Sequence, residues 1–131
     1  MKQFRIIFLL TFFSLTNVFA QKTNAEKIVG CWILKKIEFN SKDEFSEELI
    51  KDSKNSRVCF DSSGKFVTTK ENETTPIEGS YKVLSDDKTI TQTTTSEDNV
   101  NQIEIDAQIV TIDDKNLSIK MELGIIYFER E

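Results

Sequence analysis

The sequence predicts an all-β domain: an eight-stranded antiparallel up-and-down barrel with a short helix between strands 1 and 2. Three observations carry this. After Lys27 almost every stretch is a short β-branched or aromatic run ended by a turn cluster. Within the runs apolar and polar residues alternate, as they do in strands buried on one face. The sole proline, Pro76, falls at the entrance of a run, where a missing amide donor is tolerated.

The elements follow in order. Run 28–39 is apolar and β-branched, and Ser41, Lys42, Asp43 and Glu44 then read as a capping box. Phe45, Leu49 and Ile50 share one face of the helix that this box opens. Run 57–60 enters the hairpin turn Asp61-Ser62-Ser63-Gly64, and 65–70 leaves it. Runs 77–84 and 88–95 flank Ser85-Asp86-Asp87, runs 100–112 and 117–122 flank Asp113-Asp114-Lys115-Asn116, and 125–130 ends the series. Short links favour a meander, and closing it removes the exposed edges that an open two-layer sandwich would keep.

Alternation also assigns facing. Trp32, Leu34, Val58, Phe60, Gly79, Tyr81, Val83, Ile103, Ile105, Ala107 and Ile109 fall on the inner side. With Trp32 and Phe60 inward, Cys31 and Cys59 point outward on neighbouring antiparallel strands, side by side. A Cys31–Cys59 bridge is then geometrically reasonable, with two separate buried thiols as the alternative. Closing that loop contributes on the order of 3 kcal/mol.

Residues 1–20 have Lys2 and Arg5 ahead of an apolar core and end in Val18-Phe19-Ala20, the pattern of a secretory signal cut after Ala20. The apolar core is too short to span a bilayer, which needs about 20 apolar residues. Ile28-Val29-Gly30-Cys31 resembles a lipidation box, but Gln21, Lys22, Asn24, Glu26 and Lys27 separate it from the apolar core. Cys31 is therefore expected in an exported domain, 27–131, after a linker, 21–26. No stable membrane anchor remains after cleavage.

Loss of Lys2 and Arg5 leaves 15 basic against 22 acidic residues, a net charge of −7. Such a surface repels phosphate backbones, so nucleic acid is not an expected partner. The chain has no histidine, which removes the usual general base and every histidine-containing metal site. No catalytic residue, metal or cofactor is expected. The paired carboxylates Asp86-Asp87, Glu97-Asp98 and Asp113-Asp114 sit where turns are expected, and none has the spacing of a calcium loop. In the threonine-rich run 89–99, Gln92 and Thr94 could turn polar groups into the lumen, although threonines there also protect a solvated strand.

Eight runs with Gly30-x-Trp32 on the first and Arg130 near the end of the last resemble the lipocalin-like proteins of the calycin group. More closely, the chain is similar to small exported lipocalin-like domain proteins of Bacteroidota, through "VGCW", "CFDSSGKF", "IEGSYKV" and "IIYFER". The resemblance implies that Trp32 packs across the closed end of the barrel beneath Arg130, a cation-π contact of roughly 1 to 2 kcal/mol. The C-terminal helix and later loop motifs of secreted vertebrate-type lipocalins have no match.

The leading expectation is a non-catalytic barrel that binds a small hydrophobic or amphipathic ligand. Its wall would comprise Leu34, Phe60, Phe66, Tyr81, Ile90, Ile103, Ile105, Ile119 and Phe128, with Phe45, Leu49 and Ile50 as a lid. Small barrels are also filled by their own side chains. The alternative is thus a rigid platform with a filled core that binds a protein, as an inhibitor or an accessory of an envelope complex.

Overall fold

The computed structural model describes residues 22–71, 73–95 and 101–131. The signal segment 1–20 with its cleavage site, the Glu97-Asp98 pair and the end of the threonine-rich run lie outside the described residues. Eight strands close into one barrel in sequence order. They are β1 (Gly30–Phe39), β2 (Arg57–Phe60), β3 (Lys65–Thr69), β4 (Ile77–Val83), β5 (Thr89–Thr95), β6 (Gln102–Ile112), β7 (Asn116–Met121) and β8 (Gly124–Arg130). Every neighbouring pair is antiparallel, and β1 pairs with both β2 and β8, which leaves no terminal strand.

Two irregularities adjust the alternation. Between Leu34 and Lys36 the β1–β8 register shifts, so Ile37 pairs with Ile126 and Phe39 with Gly124. A bulge lets one strand change parity, and here the exposed Lys35 and Lys36 take up the extra residue. Leu34 and Ile37 therefore both face the lumen. A second shift between Ile109 and Thr111 leaves Val110 exposed and pairs Ile112 with Leu117.

Trp32, Val58, Phe60, Phe66, Ile90, Ala107, Ile109, Leu117 and Ile119 form the buried core together with Ile28. Phe60 meets Tyr81 edge-on at 4.9 Å between ring centroids, a favoured aromatic geometry. Gly79 is required here, because a Cβ would lie 2.3 Å from the Thr93 carbonyl oxygen and 2.7 Å from the Phe66 ring.

The start of the domain differs from expectation. The segment read as a linker carries a helical turn, α1 (Asn24–Lys27), capped by Thr23. Ile28, read as the first residue of strand 1, precedes the strand and is fully buried. Asp87 secures the turn: its carboxylate accepts the Asn24 amide at 3.0 Å, and its carbonyl accepts Asn24 Nδ2 at 2.6 Å. These long-range bonds hold the chain across the barrel base, a constraint that local periodicity does not contain.

The second helix, α2 (Glu44–Ser53), joins β1 to β2 as expected, but its cap is Asp43 rather than Ser41. Asp43 Oδ1 accepts the Ser46 amide at 2.8 Å, and Ser46 Oγ accepts the Asp43 amide at 2.9 Å. The reciprocal pair satisfies two backbone donors and places Glu44 and Glu47 in the first turn, where their charge suits the helix dipole. Cys31 and Cys59 stand opposite each other on β1 and β2, with Cα atoms 4.0 Å apart, and form a disulfide. Bridges of this kind persist in oxidising compartments.

Candidate functional site

The two ends of the barrel differ. At the closed end Trp32 is wholly buried, and its Nε1 donates to the Ile28 carbonyl at 2.9 Å. The Arg130 guanidinium lies 4.2 Å from the centre of the Trp32 ring and donates to three carbonyls, those of Lys27, Val29 and Asp114. Gly30 makes room for it: with φ +134°, its added Cβ would meet Arg130 Nη1 at 2.5 Å. Gly30, Trp32 and Arg130 thus form a sealed base.

Away from the base the lumen opens into two lobes. The deep lobe, about 200 Å³, is lined by Leu34, Val58, Phe60, Ala107, Ile119, Ile126 and Phe128, with Ser56, Thr68 and Gln92 among them. The outer lobe, about 450 Å³, is lined by Leu34, Ile37, Phe39, Leu49, Ile105, Leu123 and Ile126, with Glu104, Asp106 and Glu122 bordering it. Both share Leu34, Ser53, Met121 and Ile126, so they are adjoining parts of one apolar space. Small-molecule sites commonly measure about 300 to 1,000 Å³ and combine apolar walls with a few fixed polar groups.

Strand lengths explain the outer lobe. Along β6, residues 102–108 pair with β5, whereas pairing with β7 begins only at Gln108. The β7–β8 hairpin turns after Met121, which leaves a gap in the wall near the mouth. Ile105 borders that gap and is 43 % exposed, while Ile103, one pair further out, is 48 % exposed.

The nine expected wall residues therefore divide. Leu34, Phe60, Ile105, Ile119 and Phe128 line a lobe. Phe66, Tyr81 and Ile90 do not; they pack in the core towards the base, Ile90 at 1 % exposure. The Tyr81 hydroxyl also donates to the Asp61 carbonyl, which ties that ring to the β2–β3 turn. Ile103 stands at the solvent-exposed rim. Of the three helix residues expected over the mouth, only Leu49 lines the outer lobe; Phe45 and Ile50 are exposed on α2. The inward face of α2 runs through Ser46, Leu49 and Ser53, at i, i+3 and i+7, so Phe45 and Ile50 fall to either side of it.

Ser56, Ile37, Phe39, Met121 and Ile126 were not expected in the wall. The adjacent Lys35-Lys36 pair is the one sequence sign of the bulge that turns Ile37 and Phe39 inward. Ser56, next to a four-residue strand, carries no such sign. Its amide donates to Ser53 and its carbonyl accepts from Leu34, yet its buried Oγ has no partner among the described residues.

The turn carboxylates act on the backbone. Asp61 accepts the amides of Ser63 and Lys65, Asp86 those of Lys88 and Thr89, and Asp113 those of Lys115 and Asn116. These bonds, with the Ser63 and Thr89 hydroxyls at Asp61 and Asp86, hold all three below the usual carboxylate range. Charge here stabilises turns.

No protein-family model matches the sequence, and no curated protein matches it. Among solved structures the chain is similar to an uncharacterised protein from Bacteroides eggerthii, with a TM-score of 0.58 and 17 % identity. The similarity covers 79 % of this chain and 99 % of that one. The two share a fold.

Proposed function

We propose that this is an exported, non-catalytic, lipocalin-like protein that holds a small hydrophobic or amphipathic molecule in its two-lobed lumen. The supporting observation is the pair of adjoining lobes above a sealed base, whose largely apolar walls include Ser56, Thr68 and Gln92 and are bordered by charged residues. A barrel filled by its own side chains would leave no such space. Export is supported by the signal-like residues 1–20 and by the Cys31–Cys59 disulfide. Native mass spectrometry of protein exported by its host and purified without detergent tests the reading. A reproducible added mass, absent from an Ala107→Phe variant that fills the deep lobe, is expected. A bare mass in both, with no uptake of offered apolar compounds, overturns it.

A second reading, a platform for a protein partner, draws on the exposed Phe45 and Ile50 of α2, at 59 % and 46 %. Large exposed apolar patches mark contact surfaces, and these two side chains would contribute to one. Under this reading Phe45→Ser abolishes partner binding while lumen variants leave it intact.

A further inference from the structure

Resting on the carrier reading, we infer that Ser56 and Gln92 form a head-group site in the deep lobe for an amphiphile with an uncharged hydroxyl or amide head. Ser56 is 7 % exposed, and its hydroxyl is buried against the lobe without a partner among the described residues. Its backbone is fixed on both sides, by Ser53 at 3.0 Å and Leu34 at 2.8 Å, so the position of the side chain's attachment to the wall is set. A buried polar group without a partner is unfavourable and is rare in folded proteins. A ligand that bonds to it removes that cost.

Gln92 stands on the wall of the same lobe, on the inner side of β5 opposite Tyr81 and Ile105. A serine hydroxyl and a glutamine amide each donate and accept, which suits a head that does both. An anionic head fits less well. Arg57 and Lys70 border the lobe, but Arg57 is paired with Glu131 and Lys70 lies 3.9 Å from Glu73. Glu104, Asp106 and Glu122 border the outer lobe, so a carboxylate would pass among like charges. The apolar body then lies along Leu34, Met121 and Ile126, which join the two lobes.

Competition against the neutral fluorophore N-phenyl-1-naphthylamine tests this with 1-octanol, octanoate and 1-chlorooctane as displacers. In the native chain octanol should bind more tightly than octanoate. Ser56→Ala and Gln92→Leu should each lower the octanol to chlorooctane affinity ratio about three- to tenfold, the effect of one hydrogen bond. Fluorophore affinity is measured anew for each variant, because both residues line the lobe, and the octanol to chlorooctane ratio is the readout. Ser56→Ala should not lower the melting temperature, since it removes an unpaired group. An unchanged ratio in both variants, or tighter binding of octanoate, overturns the head-group assignment while the carrier reading stands. Failure of the fluorophore to bind the native chain overturns both.

Discussion

Arg130 covers Trp32 at 4.2 Å while its three nitrogens bind carbonyls of Lys27, Val29 and Asp114. One side chain near the end of the last strand thereby joins the first strand, the segment before it and the β6–β7 turn. Replacing Arg130 by Ala should cost at least about 3 kcal/mol, from the lost cation-π contact and charge-assisted hydrogen bonds. Lysine should restore less than half, because an ammonium lacks the planar fork. Urea denaturation of the three proteins measures both values.

The Cys31–Cys59 bridge spans a sequence separation of 28 residues. Loop-closure entropy assigns such a link about 3.5 kcal/mol. Reduction, or the double Cys→Ala variant, should therefore lower the melting temperature by more than about 10 °C in a domain of this size. Circular dichroism melts with and without reductant check it.

Asp61, Asp86 and Asp113 have folded-state values depressed below the ordinary 3.8, chiefly by turn hydrogen bonds. A depressed carboxylate contributes stability that is fully present above its unfolded value and is lost as pH falls through the folded one. Stability should be flat above about pH 5 and decline below 3.8, and the triple Asp→Asn variant should decline less. Tyr81 acts at the other limit, because burial and then the Asp61 charge raise its phenol above 10.0. Its contribution is present below the unfolded value and is lost as pH rises through the folded one. Urea midpoints across the pH range report both limbs.

Gly79 has the Phe66 ring and the Thr93 carbonyl where a side chain would begin. Gly79→Ala should destabilise by about 1 to 3 kcal/mol, the usual cost of overpacking. In a Gly79→Ala, Phe66→Leu double variant part of that loss should return, because the ring can no longer block the methyl. The Thr93 contact should keep the recovery incomplete. Chemical denaturation of the two variants provides the comparison.

The strands were legible because the inner faces alternate outside the two bulges and most turns carry an Asp, Gly or Asn. The disulfide was legible for the same reason: Trp32 and Phe60 fix the parity of Cys31 and Cys59. Legibility ended where long-range geometry decides. Asp87 clamps Asn24 across 63 residues, which made a closing helical turn of an apparent linker. The wall of the site depends on how far β6 runs past β7, on which face of α2 turns inward and on depth along the barrel, and Tyr81 and Ile90 share the inner parity yet pack in the core towards the base. Ser56 could not be found by pattern, since its importance lies in what its hydroxyl does not touch.

Methyl NMR of the isotopically labelled protein during addition of 1-octanol addresses lumen binding most directly. The methyls of Leu34, Ile119 and Ile126, which line the lobes, should shift together and saturate, while those of the exposed Ile50, Ile77 and Val110 stay in place. Shifts confined to those exposed methyls, or none at all, would mean that the lumen is not a binding site.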